Sequence, residues 1–252
     1  MGTLIQTIGH GPITELRLAR PPVNALDPAL CHALAEAVPA AIAAGARGLV
    51  LSGGEKVFSA GLDVPALLAL GSRDAVAAAW TAFFAAARVL ATAEVPVAAA
   101  ITGHSPAGGC VLALCCDYRV MAAGPFRIGL NETQVGLVAP EGIQHLMRRV
   151  VGAHRAERLL VAGELVEAAH ALDIGLVDEL AAPDEVVARA RARLEPLLAL
   201  PRRPMLRTRA IARADIHAAL EPERIDIATF LDAWNDPDTQ AGLRALVARL
   251  GK

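Results

Sequence analysis

Two glycine-bearing loops hold the groups best placed to do chemistry. One is Phe58-Ser59-Ala60-Gly61-Leu62-Asp63; the other is Ser105-Pro106-Ala107-Gly108-Gly109-Cys110. Each follows a short apolar run of buried-strand character and leads into a stretch with helical pattern. A strand, a glycine turn and a helix leave backbone N–H groups without intrahelical partners, and the helix adds its positive N-terminal end. Glycine also removes the side chain that would hold a ligand oxygen away from the backbone. If the loops converge on one cleft, the N–H groups of Leu62 and Gly108 could share one oxygen. That is an oxyanion hole, fixed dipoles placed where negative charge develops. A Gly-Gly turn packed for its own sake accounts equally well for the second loop, and sequence alone does not establish convergence.

The titratable side chains give weaker signals. Glu132 lies in a polar interruption, Asn131-Glu132-Thr133-Gln134-Val135-Gly136, and by itself reads as a surface loop residue. Asp63 suits the cap of a helix entered at Pro65. Asn131 suits a turn or cap. His104 adjoins the second loop, but no Ser or Cys stands at a recognisable nucleophile spacing, so it is expected to be structural or a pocket wall. His145, His154 and His170 are not at metal-ligand spacing with Cys or carboxylates, and no metal is predicted. Cys31, Cys110, Cys115 and Cys116 form no CxxC pair. They are expected as small buried hydrophobes in a reducing compartment.

Composition narrows the classes. The chain has 252 residues, 54% of them hydrophobic, enough for one large domain or a core with an appendage. Lys+Arg 24 against Asp+Glu 26 gives net charge −2, and so no global electrostatic case for nucleic acid or an anionic membrane. No apolar stretch of membrane-spanning length runs free of a charge, Pro or Gly. The first ten residues lack the basic start and long apolar run of a signal peptide, and a cytoplasmic protein is expected.

The elements that must position the two loops follow from periodicity. Residues 4–8 and 13–18 alternate as a hairpin, and 20–26 is a loop imposed by Pro21 and Pro22. Asp27-Pro28 starts a helix to about 44. Residues 48–52 and 95–101 read as buried strands, 74–93 and the run to 116 as helices, 117–121 as a strand and 126–130 as a short extended piece. After Pro140 the pattern turns helical at 141–150, 153–161, 166–172, 183–200, 204–220, 221–234 and 237–250, with a brief strand at 177–180. The expected class is α/β: a strand-and-helix core over 1–195 and a C-terminal helical region over 196–252.

Taken jointly, Phe58-Ser59-Ala60-Gly61-Leu62-Asp63, Gly108-Gly109-Cys110 with Cys116-Asp117, and Gly129-Leu130-Asn131-Glu132-Thr133-Gln134-Val135-Gly136 resemble the crotonase (enoyl-CoA hydratase/isomerase) superfamily. The similarity spans about 13–180, and within the superfamily it is greatest to the mitochondrial-type Δ3,Δ2-enoyl-CoA isomerases. The resemblance implies a spiral of ββα repeats with a helical trimerisation region, assembled as a homotrimer or a dimer of trimers. It implies an acyl-CoA thioester as partner, with coenzyme A entering as part of the substrate and no resident cofactor. Val23, Ala25, Ala60, Gly61, Leu62, Asp63, Val64, Gly108 and Asn131 become expected substrate and CoA contacts, Leu62 and Gly108 the oxyanion donors, and Glu132 the catalytic acid–base.

Hydratases of this superfamily use two glutamates. Here Val111, which cannot titrate, stands at the first of those positions and Glu132 at the second. One carboxylate suits a double-bond shift better than addition of water, which needs one group for water and another for the proton. A weak hydratase, or an inactive acyl-CoA-binding trimer, is the alternative. Dienoyl-CoA isomerases carry a further Asp where this chain has Pro140, followed by Glu141; Glu141 suits the first turn of a helix. Arg202, Arg203, Arg207, Arg209 and Arg213 form a local basic cluster, either a solvated face or contacts to CoA phosphates.

Overall fold

The computed structural model describes residues 2–250, so the expected region boundaries at 1 and 252 lie outside the described residues. Alternating residues form a hairpin of β1 (Ile5–His10) and β2 (Ile13–Leu18), antiparallel, with Ile5 opposite Leu18. Asp27 caps α1 (Pro28–Ala43) by accepting from Leu30 N–H at 2.8 Å. Then come β3 (Gly48–Ser52), α2 (Val64–Leu68), α3 (Arg73–Ala91), β4 (Val97–Ile101), β5 (Ser105–Pro106), α4 (Gly108–Leu114), β6 (Tyr118–Ala122) and β7 (Arg127–Gly129). A single 3-10 turn, Glu132–Val135, precedes α5 (Glu141–Val151), α6 (Ala153–Ala162), β8 (Val166–Glu167), α7 (Ala168–Asp173) and β9 (Glu179–Ala181). The chain closes with α8 (Val186–Ala199), α9 (Arg202–Ala212), α10 (Ala214–Ala219), α11 (Pro222–Ile225), α12 (Ile227–Trp234) and α13 (Pro237–Leu250).

Six strands make the main sheet in the order β1-β2-β3-β4-β6-β9, parallel from β2 onward, and β5-β7-β8 make a small second sheet. β4 is apolar at every position and buried on both faces, as a central parallel strand must be. Its alternate residues divide the core: Val97, Ala99 and Ile101 face α1 and α3, while Ala98 and Ala100 meet Val186, Ala190 and Leu194 of α8. α3 is long and apolar enough to cross a membrane by length and composition alone. Its burial instead makes it a core helix: Trp80 lies 4.3 Å from Phe230 of α12, centroid to centroid, and Phe83, Phe84 and Leu90 are buried.

Successive turns of the chain repeat one plan. β4 enters the main sheet, β5 the small one, and α4 follows; β6 and β7 do the same before the 3-10 turn and α5. β3 begins a matching turn, with the single bridge Val57–His104 standing in for its second strand.

The structure corrects several expected elements. The helix expected at 166–172 begins as β8, because Val166 and Glu167 pair with β7. The helix expected at 204–220 divides at Arg213, whose side chain turns inward to buried carbonyls. The one expected at 221–234 divides at Asp226, which takes a left-handed φ of 43° and caps α12 through Thr229 N–H. The division expected after residue 195 falls inside α8.

Candidate active site

The repeated plan decides where the two glycine loops go. His104, Ser105 and Pro106 run parallel to Val57 on one side and to Ile128 and Gly129 on the other. Leu62, Gly108 and Glu132 each come a few residues after these three side-by-side segments, so the spiral delivers them to the same edge. Phe58 N–H donates to His104 O at 2.9 Å, and Ala107 N–H donates to Gly129 O at 2.8 Å, tying all three together.

The loops meet at Gly61. Its φ is 80°, and a Cβ there would lie 3.1 Å from the Ala107 Cβ and 3.2 Å from the Gly108 nitrogen. A side chain would push the second loop away, so Gly61 is needed both for its left-handed backbone and for the close approach. Ala107, with φ 47° and ψ −120°, holds a conformation that favours glycine, a strain of about 1–3 kcal/mol carried directly before the Gly108 N–H. Among the described residues neither the Leu62 nor the Gly108 N–H donates a hydrogen bond. Gly108 opens α4, so its N–H has no partner within the helix.

The first loop is held by Arg20, Asn24 and Ser59. Arg20 donates to Asp63 Oδ2 at 2.7 Å and to Ala25 O at 3.0 Å, and pairs with Asp27 at 3.0 Å. Asn24, buried with φ 50°, donates to Phe58 O at 3.1 Å and accepts from Arg20 N–H. Ser59 donates to Asn24 O at 2.8 Å and accepts from Gly61 N–H at 3.2 Å. Ala60 N–H donates to Val23 O and Leu26 N–H to Gly61 O, so Val23, Ala25, Ala60, Gly61 and Leu62 form one knot. Asp63 caps α2 through Ala66 N–H while holding Arg20, and Val64 opens that helix half-buried. The local signal for Arg20, Asn24 and Ser59 was slight: polar residues in proline- and glycine-rich loops.

Glu132 sits in the 3-10 turn three residues beyond Gly129. It is half-buried as a residue, but its Oε2 is hidden from solvent and finds no hydrogen-bond partner. Burial pushes this carboxyl up to about 7, opposed only by its own backbone N–H. Its charge reaches Cys110, two residues beyond Gly108, helping to raise that thiol. Asn131 Oδ1 is likewise hidden and unpartnered. Val111, in the first turn of α4, is buried and apolar.

Other candidates are occupied elsewhere. Glu141 opens α5 but is held by Arg224 at 2.7 Å from each oxygen and by Arg148, which keep its carboxyl below the usual range. Arg209 makes a bidentate pair with Asp117 at 2.8 Å, and buried Arg213 bonds Cys115 O and Asp117. They pin α9 and α10 to the core, whereas Arg202, Arg203 and Arg207 are exposed. His104 accepts from Arg127 N–H and packs edge-on against Phe126, a structural role. The four cysteines are free and buried, and burial raises every thiol, Cys31 and Cys115 to about 12, which leaves none as a nucleophile at neutral pH.

The family model for enoyl-CoA hydratase/isomerase matches residues 9–250. The chain belongs to the enoyl-CoA hydratase/isomerase family. It is 34% identical to mouse mitochondrial enoyl-CoA delta isomerase 1, over 98% of this chain and 86% of the mouse protein. It is 35% identical to a probable enoyl-CoA hydratase of Mycobacterium avium, over 85% of this chain and 81% of that protein. The crystal structure of human mitochondrial delta3-delta2-enoyl-CoA isomerase superposes with TM-score 0.93 at 30% identity, covering 98% of both chains. The α/β architecture is therefore the crotonase fold, with a helical C-terminal region following the spiral core.

Proposed function

We propose that this protein is a Δ3,Δ2-enoyl-CoA isomerase that works with one glutamate. Glu132 takes a proton from C2 of a 3-enoyl thioester and returns it to C4, so the double bond moves from C3=C4 to C2=C3. Electron density gathers meanwhile on the thioester oxygen, which the N–H groups of Leu62 and Gly108 hold. Each such donor is worth ~10²–10³ in rate. A thioester α-proton is weakly acidic, so the enolate needs this support.

The observation that carries the proposal is the hidden Oε2 of Glu132, without a hydrogen-bond partner among the described residues; the undonated N–H groups of Leu62 and Gly108 and the apolar Val111 support it. A carboxyl that titrates near neutrality is suited both to accept a proton and to return it. The similarity to the mouse and human isomerases over nearly the whole chain supports the same reaction. Coenzyme A enters with the substrate, and no resident cofactor is invoked. A homotrimer or dimer of trimers belongs to the proposal, resting on the family resemblance alone. So does a cytoplasmic setting, supported by four free cysteines, although the mouse relative is named mitochondrial.

The test is Glu132→Gln assayed on 3-enoyl-CoA esters of graded length. Turnover is expected to fall ~10²–10⁴-fold with thioester binding retained. Near-normal turnover would remove Glu132 as the shuttle. The similarity to probable hydratases favours a second reading, a weak hydratase. Steady loss of enone absorbance from crotonyl-CoA at a rate matching isomerisation would establish it.

A further inference from the structure

Among the described residues nothing hydrogen-bonds to the Glu132 Oε2, so its position depends on the backbone of the 3-10 turn that carries it. Two helices grip that turn from behind. On one side α6 ends at Gly163, where a Cβ would come 2.5 Å from Thr133 Oγ1, and Thr133 donates to Leu160 O at 3.2 Å. On the other side lies α13, the last helix of the chain. Gly136 closes the turn with φ 80°, and a Cβ on it would lie 2.8 Å from the Thr239 Cα. Gly242, one turn further along α13, approaches Val135 so closely that a Cβ would stand 2.9 Å from its carbonyl oxygen. Between these contacts Thr239 Oγ1 donates to Gly136 O at 2.6 Å, and the Thr239 residue is only 3% exposed. Asp236 Oδ1 accepts from Asp238 N–H at 2.8 Å, ordering the first turn of α13 just where Thr239 stands.

We infer that Thr239 is a positioning residue for Glu132. Its hydroxyl locks α13 onto the turn and so fixes the angle at which the carboxyl enters the site. It touches no substrate atom. The two glycines set how near the helix comes; among the described residues the hydroxyl is the one directional bond between α13 and the end of the turn, and the Gly136 carbonyl loses that partner without it. The inference rests on Glu132 as the proton shuttle. It goes beyond that role by making the C-terminal helix part of the catalytic apparatus, 107 positions along the chain from the glutamate.

The experiment is Thr239→Val, which keeps the shape and removes the hydroxyl, beside Thr239→Ser, which keeps the hydroxyl, with Glu132→Gln in parallel. Isomerase kcat, KM and the pH profile of kcat/KM are measured on the purified full chain. In Thr239→Val, kcat is expected to fall roughly 10- to 100-fold, the loss a misplacement of about 1 Å brings, with KM nearly unchanged. The loosened turn admits water to the carboxyl, so the acidic limb of the profile moves to lower pH. Thr239→Ser restores both. A purely structural threonine would lower the melting temperature and leave kcat and the limb in place, and that result overturns the inference. If Thr239→Val does not fold, Thr239→Ala is read by the same criteria. A fully active Glu132→Gln instead removes the shuttle assignment; an inactive one beside an unchanged Thr239→Val removes the positioning role alone.

Discussion

Two glutamates whose carboxylates are hidden wholly or in part have opposite environments. Glu15, 1% exposed on β2, accepts from Ser52 at 2.6 Å and from Arg17 at 3.0 Å, and meets His10 at 3.0 Å. Burial alone would raise its carboxyl, but these hydrogen bonds outweigh it and hold the group below its usual range. Glu132 is hidden at one oxygen, has no side-chain partner, and is pushed up to about 7. The same desolvation thus yields a fixed structural anion in one place and a group free to exchange a proton in the other; the partners decide which. Arginines divide the same way, Arg209 and Arg213 being held by Asp117 and Arg203 and Arg207 exposed.

The contrast can be broken most severely at the site itself. Beyond the ~10²–10⁴-fold loss expected for Glu132→Gln, Gly61→Ala places a methyl against the Gly108 nitrogen and forces alanine to φ 80°. Isomerase kcat should drop ~10²–10³-fold, as for loss of an oxyanion donor, in a chain whose circular dichroism is unchanged. Wild-type kcat in that variant would show that the approach of the two loops does not matter to turnover.

Glu15→Ala should instead cost about 1–3 kcal/mol in urea unfolding, because it leaves the buried Ser52 hydroxyl without its partner and frees the more exposed Arg17 and His10, while turnover per folded molecule is kept. Because the folded carboxyl titrates below its unfolded value of 4.5, its contribution is whole above that pH and is lost as pH falls through the folded value. The variant's deficit should therefore shrink in acid.

For Glu132 the sign reverses. The folded state keeps the proton up to about 7 and the unfolded chain only to 4.5, so wild-type stability declines between those values as pH rises. Glu132→Gln should be more stable than wild type by ~1–3 kcal/mol at pH 8, with no gain at pH 4. An equal gain at both pH values would mean the carboxyl is not strained by burial. The smallest effect is expected at the surface: Arg203→Ala with Arg207→Ala should weaken acyl-CoA binding tenfold or less, and only at low salt, if these arginines meet phosphates. Unchanged affinity removes that role.

Local chemistry made much of the molecule legible. Two-residue alternation marked β1 and β2, and continuous apolar runs marked β3 and β4. Asp27-Pro28 marked the start of α1, and the glycine turns marked the two loops, because each depends on neighbours within a few residues. β5, β7 and β8 were not legible as a sheet, being two or three residues long and formed only by partners distant in sequence. The same holds for the inward turn of Arg213, for the Arg20–Asn24–Ser59 knot and for the contact of Thr239 with Gly136.

The order of residues by itself determined that the chain would offer two unpartnered backbone donors on glycine turns and a single glutamate with valine at position 111. The tertiary structure decided that the two glycine loops meet at Gly61, and that the Glu132 Oε2, unlike the Glu15 carboxylate, is hidden without a partner among the described residues. A backbone conformation is set by a residue and its neighbours, whereas proton affinity and convergence are set by everything within a few ångströms, which the spiral gathers from distant parts of the chain.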